Sequence, residues 1–368
     1  LAMRSGQLGE GEWRCARWTT VNDNADPNDL DPAGFTWTQL DRRMERVVLP
    51  LRQKIASRGE ELYLNLTYVA FVRQCSDIPY LHDDDPAEYA EFILAAFQHI
   101  QSKFGVVPDG VEVILEPDNT PWTGTMIGEA IAKTGALLEA NGFHPDFIGP
   151  SNTNMTTAVS FFDQMVAALK ANNALQYLTE FSYHRYSGVS AYRVDQIADR
   201  AQQYGLRTAM LEKTKGDYLM LHEDLKVGNV SSWQQFALAF TGTGEGGNAY
   251  FGIDFNAAVP RVTYPQRTKL LRQYFRYIRP GAQRIGALTT ASNFDPVAFI
   301  NANQEYVVVV SAKAGGTFSV ANLPAGDYGV TYATDAAFDV AAPDVTLATG
   351  QALSATIPAA GVLTVYGK

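Results

Sequence analysis

The chain has 368 residues, with 29 lysines and arginines against 39 aspartates and glutamates, for a formal net charge of -10. This acidic balance provides no basic face for nucleic acid or anionic membranes, and no apolar run approaches the roughly 20 residues of a spanning helix. The length predicts two domains. The only cysteines are Cys15 and Cys75, which leaves a disulfide open and argues against a cysteine metal cluster. We expect a soluble, secreted protein whose leader is not in this chain, and its oligomeric state stays open.

Short apolar runs typical of strands alternate with helical patterns between Gly11 and Pro280. The predicted strands are residues 13–19, 62–69, 111–116, 146–149, 177–186, 207–212 and 248–255, and the clearest helices are residues 35–58, 86–104, 125–141 and 264–278. Asp85 and Glu88 have the spacing of a capping box at the start of the second helix. Repeated βα units over about 250 residues favour a (β/α)8 TIM barrel in residues 1–286, although strand 1 is not evident.

The pattern changes after residue 286. Residues 287–368 contain short strands separated by Gly, Pro, Asn and Asp, at 297–300, 306–312, 316–320, 329–333, 345–348 and 362–366. Near-regular spacing of this kind predicts a small antiparallel β-sandwich. Such a domain is either a packing partner of the barrel or a carbohydrate-binding surface.

Two glutamates close predicted strands, Glu116 after residues 111–115 and Glu212 after residues 207–211. Active sites of TIM barrels lie at the C-terminal ends of the strands. Glycosidic bond cleavage needs one carboxylic acid to protonate the leaving oxygen and one carboxylate to meet the developing positive charge. The pair therefore predicts a catalytic site, whereas Glu112 lies lower in its strand and is interpreted as an interior or packing-side carboxyl.

Other residues are candidates for binding the substrate. Period-two alternation places Ser182, His184 and Tyr186 on one face of a strand, so an imidazole and a phenol would reach the mouth of the barrel together. Arg17 is suited to holding the nucleophile ionised. Four rings are candidates for stacking on sugars, namely Trp18, Tyr68, Trp122 and Phe251.

Two acidic runs raise the question of a metal. Residues 22–26 lack the glycine and the terminal glutamate of a calcium loop, and residues 82–85 lead into a helix cap. No serine-hydrolase elbow or zinc-protease motif is present in the sequence. We therefore expect neither a metal nor a cofactor at the site.

Several motifs together indicate a known family, namely Glu116-Pro117, Gly149-Pro150-Ser151, His184-Arg185-Tyr186, Glu212, the passage 274–287 and the ending 353–365. In these motifs the chain resembles the retaining (β/α)8 glycoside hydrolases whose catalytic glutamates lie on strands 4 and 7, and it is most similar to glycoside hydrolase family 30. The resemblance implies hydrolysis of β-linked glycans with retention, with Glu116 as acid/base and Glu212 as nucleophile. It also implies that Arg17 and Tyr186 flank the nucleophile.

One position departs from the family pattern. The family usually has Asn before the acid/base glutamate, where it binds the sugar 2-hydroxyl, and this chain has Leu115. Because leucine neither donates nor accepts a hydrogen bond, we expect Asn119 or Asp118 to reach the sugar instead. A barrel that binds glycans without cleaving them is the alternative function. Endo and exo action are both compatible with the sequence.

Overall fold

The computed structural model describes residues 2–4, 19–71, 82–247 and 249–368. The chain divides into two compact units, one formed by Leu1–Glu212 with Val230–Ser232 and the other by Lys213–Asn229 with Trp233–Lys368. The domain border predicted at residue 286 was based on the change from alternating strands and helices to strands alone. That border stays a prediction. Both predicted candidates for a disulfide, Cys15 and Cys75, lie outside the described residues.

The first unit alternates strands and helices. Its elements are β1 (Ala2–Arg4), β2 (Thr19–Thr20), β3 (Thr36–Trp37), α1 (Thr38–Arg43), a π-helical turn (Met44–Val48), α2 (Leu49–Ala56), β4 (Asn65–Val69), α3 (Pro86–Phe104), β5 (Gly110–Glu112), a 3-10 turn (Pro117–Asn119), α4 (Gly124–Ala140), β6 (Asp146–Asn154), α5 (Met155–Ala171), a 3-10 turn (Leu175–Tyr177), β7 (Leu178–Ser187), α6 (Ala191–Tyr204), β8 (Arg207–Glu212) and β9 (Val230–Trp233).

A parallel sheet forms the centre of this unit, as the predicted βα alternation requires. Its described strands follow the order β1, β4, β5, β6, β7, β8, β9, and the strands from β1 to β8 pair in parallel. Strand 1 was not evident in the sequence, and the described sheet begins with Ala2–Arg4, which pairs in parallel with β4. The predicted strand at residues 13–19 lies outside the described residues up to residue 18.

Helices cover the sheet through apolar side chains. The rings of Phe162 on α5 and Phe181 on β7 stack with their centroids 4.1 Å apart, and both are fully buried. Helix α3 begins where the sequence predicts, since the Asp85 side chain accepts hydrogen bonds from the backbone N–H groups of Ala87 and Glu88. The other half of the predicted capping box is missing, because neither carboxylate oxygen of Glu88 has a hydrogen-bond partner.

The second unit contains two helices and two kinds of sheet. Its elements are α7 (Tyr218–Lys226), β10 (Ala237–Thr241), β11 (Ala249–Asp254), β12 (Arg261–Thr263), α8 (Gln266–Phe275), β13 (Gln283–Ile285), β14 (Phe294–Ile300), β15 (Tyr306–Ala312), β16 (Gly316–Val320), β17 (Gly326–Thr334), β18 (Val340–Leu347), β19 (Leu353–Ile357) and β20 (Gly361–Gly367).

The C-terminal strands form the predicted antiparallel sandwich. One sheet has the order β13, β14, β15, β20, β17, β18, and β16 pairs with β19 in a second sheet. Its core is aliphatic and includes Val308, Val310, Leu353, Ile357 and Leu363.

One predicted barrel strand belongs elsewhere. Strand β11 pairs with β10 and β12 in a separate three-stranded sheet, whereas β9 follows β8 in the order of the large sheet. The prediction that residues 248–255 continue the barrel was therefore wrong about their sheet. No described helix is long and apolar enough to cross a membrane.

Candidate active site

Glu116 follows β5 at the C-terminal end of the parallel sheet. The segment leading to it stays between the neighbouring strands, since the Leu115 N–H donates to the Tyr68 carbonyl (2.8 Å) and the Glu116 N–H donates to the Ser151 carbonyl (3.2 Å). Glu116 has φ +50°, and Ser151 has φ +59°. A left-handed backbone costs a residue other than glycine about 1 kcal/mol or more. The hydrogen bonds on both sides hold Glu116 in this conformation and so fix the direction of its carboxylate.

Glu212 is the last residue of β8 and lies opposite His184 in the pairing of β7 with β8. The hydroxyl of Tyr186, two residues further along β7, donates to Oε1 of Glu212 over 2.9 Å. Adjacent parallel strands therefore bring the second glutamate and its phenol to the same end of the sheet.

His184 connects the two carboxylates and a third. Its Nδ1 lies 3.0 Å from Oε1 of Glu116, and its Nε2 lies 3.9 Å from Oε1 of Glu112. The hydroxyl of Thr67 donates to the other Glu112 oxygen over 2.8 Å. Glu112 is buried beneath the imidazole, consistent with its interpretation as an interior carboxyl. Its contact with His184 was not predicted, although the four-residue separation of Glu112 from Glu116 on one chain segment was a usable signal.

The two strand-end carboxylates lie close together. One oxygen of Glu116, one oxygen of Glu212 and one ring nitrogen of His184 are all within 4.8 Å of one another. The Glu116 side chain is 12% exposed and the His184 side chain is fully buried. The carboxylates therefore share a small site that retains some access to solvent.

Burial and charge perturb the titration of this group. Burial raises the pKa of the Glu212 carboxyl above its ordinary value and the charge of Glu116 adds to this, whereas the charge of His184 and the Tyr186 hydroxyl act in the opposite direction. Burial would lower the pKa of His184, but the hydrogen bond with Glu116 and the charges of Glu212 and Glu116 raise it above its ordinary value. The negative charge of Glu116 therefore makes Glu212 harder to ionise, and the positive charge of His184 offsets part of that effect.

The loop after Glu116 contains the two polar residues predicted to reach the sugar. The Asn119 amide donates to Oε2 of Glu116 over 3.2 Å and to the Thr153 hydroxyl over 2.7 Å. The Asp118 carboxylate instead accepts from the backbone N–H groups of Thr153 and Asn154, at 2.9 and 3.0 Å. Asn119 is therefore part of the site, and Asp118 holds the end of β6 beside it.

Five of the predicted site residues come together in this group. They are Glu116, Asn119, His184, Tyr186 and Glu212.

The structure does not bring the other predicted substrate-binding residues into this group through any contact between described residues. Tyr68 and Trp122 are buried with ring centroids 6.2 Å apart, and the Tyr68 hydroxyl lies 2.9 Å from Nδ1 of His82. Phe251 is on β11 in the second unit, and Arg17 and Trp18 lie outside the described residues. Sugar binding by these five residues stays a prediction.

The same geometry is compatible with a metal ion. Glu116, His184 and Glu212 offer two carboxylates and an imidazole, a ligand set that zinc accepts. The expectation that the site works without a metal stays a prediction, and a chelator tests it directly.

Solved glycoside hydrolases share this fold. The catalytic domain of a glycoside hydrolase family 30 xylanase C from Talaromyces cellulolyticus matches 100% of this chain and 86% of its own, with TM-score 0.71 and 16% identity. A family 30 endoxylanase from Clostridium papyrosolvens matches 90% of this chain and 84% of its own, with TM-score 0.66 and 18% identity. An endo-β1,6-glucanase matches 100% of this chain and 82% of its own, with TM-score 0.66 and 14% identity. No protein-family profile and no curated protein sequence matches the chain.

These likenesses define the class of fold. The chain has the (β/α)8 barrel with a β-sandwich that is found in glycoside hydrolases of family 30. The predicted fold class and the predicted family resemblance are both confirmed.

Proposed function

We propose that the protein is a retaining β-glycoside hydrolase in which Glu116 is the acid/base and Glu212 is the nucleophile. The observation that carries the proposal is the closeness of the two strand-end carboxylates, which have oxygens within 4.8 Å of one another. The family 30 fold supports it, because a TIM barrel presents its reactive residues at this end of the strands.

The separation of the carboxylates supports retention. In retaining enzymes the two carboxyl groups lie about 5 to 5.5 Å apart, whereas inverting enzymes keep about 6.5 to 9.5 Å for a water molecule. Glu116 and Glu212 have oxygens within 4.8 Å of one another, which is closer to the retaining spacing than to the inverting one. Direct attack by one carboxylate fits this spacing better.

The reaction then takes two steps. Glu116 gives its proton to the glycosidic oxygen while a Glu212 oxygen attacks the anomeric carbon, so the glycosidic bond breaks and a glycosyl ester forms. A water molecule then gives a proton to Glu116, and the oxygen of that water attacks the same carbon. This step releases Glu212 and restores the starting anomeric configuration.

The neighbours of each carboxylate suit this division of roles. Glu212 must be ionised to attack. Burial raises its pKa, and the His184 charge and the Tyr186 hydroxyl oppose that rise and so favour the ionised form. Glu116 must exchange a proton with the substrate, and its carboxylate is held by Asn119 and His184 at its two oxygens. Both roles therefore have local support among the described residues.

The stereochemical course tests the mechanism. When an aryl β-glycoside is hydrolysed in an NMR tube, we expect the β-anomer of the free sugar to form first and the α-anomer to grow in later. A first-formed α-anomer would mean inversion and would overturn the proposal. Activity should persist after treatment with a chelator; loss of activity that zinc restores would favour a metal at this site.

Azide distinguishes the two glutamates. In Glu116→Ala, azide attacks the glycosyl ester on Glu212, so the expected product is the β-glycosyl azide. In Glu212→Gly, azide replaces the missing nucleophile in one displacement, so the expected product is the α-glycosyl azide. The opposite assignment of products would exchange the proposed roles. Glu129→Ala, which removes an exposed carboxylate on α4, is the matched control.

Xylan and β1,6-linked glucan are the first substrates to examine. The proteins with this fold are described as xylanases and an endo-β1,6-glucanase. We extend that to this chain as the proposed class, β-linked polysaccharide, and expect an extracellular site of action. Mixed oligomers among the products would indicate endo action, and one small product would indicate exo action.

Leu115 supports a second candidate, a barrel that binds glycans but has lost catalytic competence. A hydrogen bond to the sugar 2-hydroxyl contributes several kcal/mol to the transition state of such enzymes, and leucine cannot form it. Binding without turnover across a broad panel of substrates would favour this candidate. In that case, Leu115→Asn should restore turnover, whereas Leu115→Ala should not.

A further inference from the structure

Three carboxylates form a second acidic cluster in the first unit, separate from the glutamates of the candidate active site. Asp23 lies in the loop after β2, and Glu88 and Glu91 lie one turn apart near the start of α3. One oxygen from each of the three is within 4.8 Å of the other two. We call these residues the Asp23 cluster.

Five oxygens of the Asp23 cluster are buried and have no partner outside the cluster. Glu88 and Glu91 are only 1% and 2% exposed. The five buried oxygens without an outside hydrogen-bond partner are both oxygens of Glu88, both oxygens of Glu91 and Oδ1 of Asp23. Buried polar groups are nearly always paired, and an unpaired buried carboxylate is among the most costly exceptions.

The remaining oxygen of Asp23 is used to hold the loop. Its Oδ2 accepts from the backbone N–H of Asp31 over 2.6 Å and from the Asn24 amide over 3.3 Å. These bonds fix the carboxylate and leave Oδ1 for the cluster. In the part of the chain that the structure describes, no basic side chain forms an ion pair with any of the three carboxylates.

Nearby charges increase the cost of ionising the cluster. Burial raises the pKa of Glu91 to about 8, with further contributions from the charges of Asp23 and Glu88. Burial and the charges of Asp85 and Asp23 also raise the pKa of Glu88. Three carboxylates with oxygens within 4.8 Å of one another repel, and a cation among them would offset that repulsion.

We propose that the Asp23 cluster binds one calcium ion. Its ligands are carboxylate oxygens only, which suit a hard cation and not zinc or copper. Two oxygens bound to one ion are separated by at most twice the bond length, about 4.6 to 5.2 Å for Ca²⁺ and about 4.0 to 4.2 Å for Mg²⁺. Oxygens within 4.8 Å of one another can therefore share one Ca²⁺, and a buried set of protein carboxylates suits Ca²⁺ better than Mg²⁺, because Mg²⁺ keeps several of its waters.

The proposed ligands lie on two segments that no sequence motif links. Asp23 belongs to the first acidic run, whereas Glu88 and Glu91 follow the second run on α3. Neither run has the spacing of a calcium loop, so a local motif search misses the combination. If the oxygens of Glu88 bind the ion, they do not form the second hydrogen bond of the capping box. A bound ion would tie the loop after β2 to the start of α3.

Calcium titration of the protein tests the proposal. Protein treated with a chelator is titrated with CaCl2 by calorimetry at pH 7 and constant ionic strength, and its melting is followed by circular dichroism. We expect one Ca²⁺ per chain and a rise in Tm of a few degrees at saturation. Glu91→Gln should weaken Ca²⁺ binding by at least about tenfold. Asp84→Asn, which removes an exposed carboxylate just before α3, should bind Ca²⁺ as the wild type does.

Several results would overturn the proposal. These are a Tm unchanged by calcium, binding that is as tight in Glu91→Gln as in the wild type, and tighter binding of Mg²⁺ than of Ca²⁺. If Glu91→Gln fails to fold, Asp23→Asn replaces it, and the wild-type titration alone can still reject the site. None of these measurements depends on catalytic activity, so they stand apart from the test of the glycosidase.

Discussion

His184 on β7 and Glu116 after β5 are joined by a contact of 3.0 Å between Nδ1 and Oε1. The imidazole is fully buried and also faces Glu112 and Glu212. One histidine thus sets the electrostatic environment of both candidate catalytic carboxylates.

Replacing this histidine should change the pH dependence of the enzyme. Because the charge of His184 lowers the pKa of Glu212, His184→Gln should raise that pKa and move the acid limb of kcat/KM to higher pH. Loss of a charge-assisted hydrogen bond to Glu116 should reduce kcat/KM by about 10- to 150-fold. The measurement is a pH profile beside a melting curve. A uniform loss of activity without a shift of the acid limb would indicate a purely structural role, and the exposed His144→Gln is the control.

Tyr186→Phe is a smaller change that tests the ionisation of Glu212, the proposed nucleophile. The phenol donates to Oε1 of Glu212 and so favours the ionised carboxylate. Its removal should raise the pKa of Glu212, and since the nucleophile must be ionised, activity should be lost at a higher pH as the solution is acidified. A hydrogen bond of about 0.5 to 1.5 kcal/mol corresponds to a shift of roughly half to one pH unit. An unchanged acid limb would contradict the assignment, and Tyr192→Phe at an exposed position is the control.

Adjacent residues in the loop after Glu116 should behave differently. Asn119→Ala removes a contact to Glu116, the proposed acid/base, and should lower kcat and kcat/KM together, the pattern of an interaction made mainly in the transition state. Asp118→Ala removes an acceptor of two backbone hydrogen bonds and should lower Tm as well. Steady-state kinetics and melting curves of both variants separate these effects. If both variants keep the kcat of the wild type, Asn119 has no role in the proposed site.

Glu180 should make the fold less stable as the pH rises. Burial, together with the charges of Asp146 and Glu112, raises its pKa to about 7 despite the opposing charge of Arg207. The native state therefore holds a proton between about pH 4.5 and 7 that the unfolded state has released, so stability falls with rising pH. The difference corresponds to about 3 kcal/mol above pH 7.

Denaturant unfolding at several pH values checks the sign of this effect. Glu180→Gln should flatten the decline between pH 4.5 and 7 and be more stable than the wild type at pH 8. Glu129→Gln, at an exposed position, should leave the decline unchanged. An equal slope in Glu180→Gln and the wild type would contradict the expectation.

The sequence predicts most of the elements but not all of their partners. Helix α3 was predicted at its observed bounds because Asp85, Pro86 and Gly105 mark its ends. Strand β9 is only four residues long and was missed. Strand β11 was found, but its membership of a separate sheet depends on pairing with β10 and β12, which no local pattern encodes.

The candidate site was likewise predicted only in part. Glu116 and Glu212 could be selected because each ends an apolar run, and a barrel brings strand ends together. The contact of His184 with Glu112 depends on the register between neighbouring strands, which the sequence does not specify. Tyr68 and Trp122 were chosen as rings that stack on sugars, and their burial is decided by packing that a linear pattern does not reveal.

Covalent trapping of Glu212 tests the proposed mechanism most directly. A 2-deoxy-2-fluoro β-glycosyl fluoride of the sugar that the enzyme releases should inactivate the protein and add one fluoroglycosyl group to its mass. Peptide mapping should place the label on Glu212, and Glu212→Gln should not be labelled. A label on any other residue, or continued turnover with no covalent adduct, would contradict the proposal that Glu212 is the nucleophile of a retaining glycoside hydrolase.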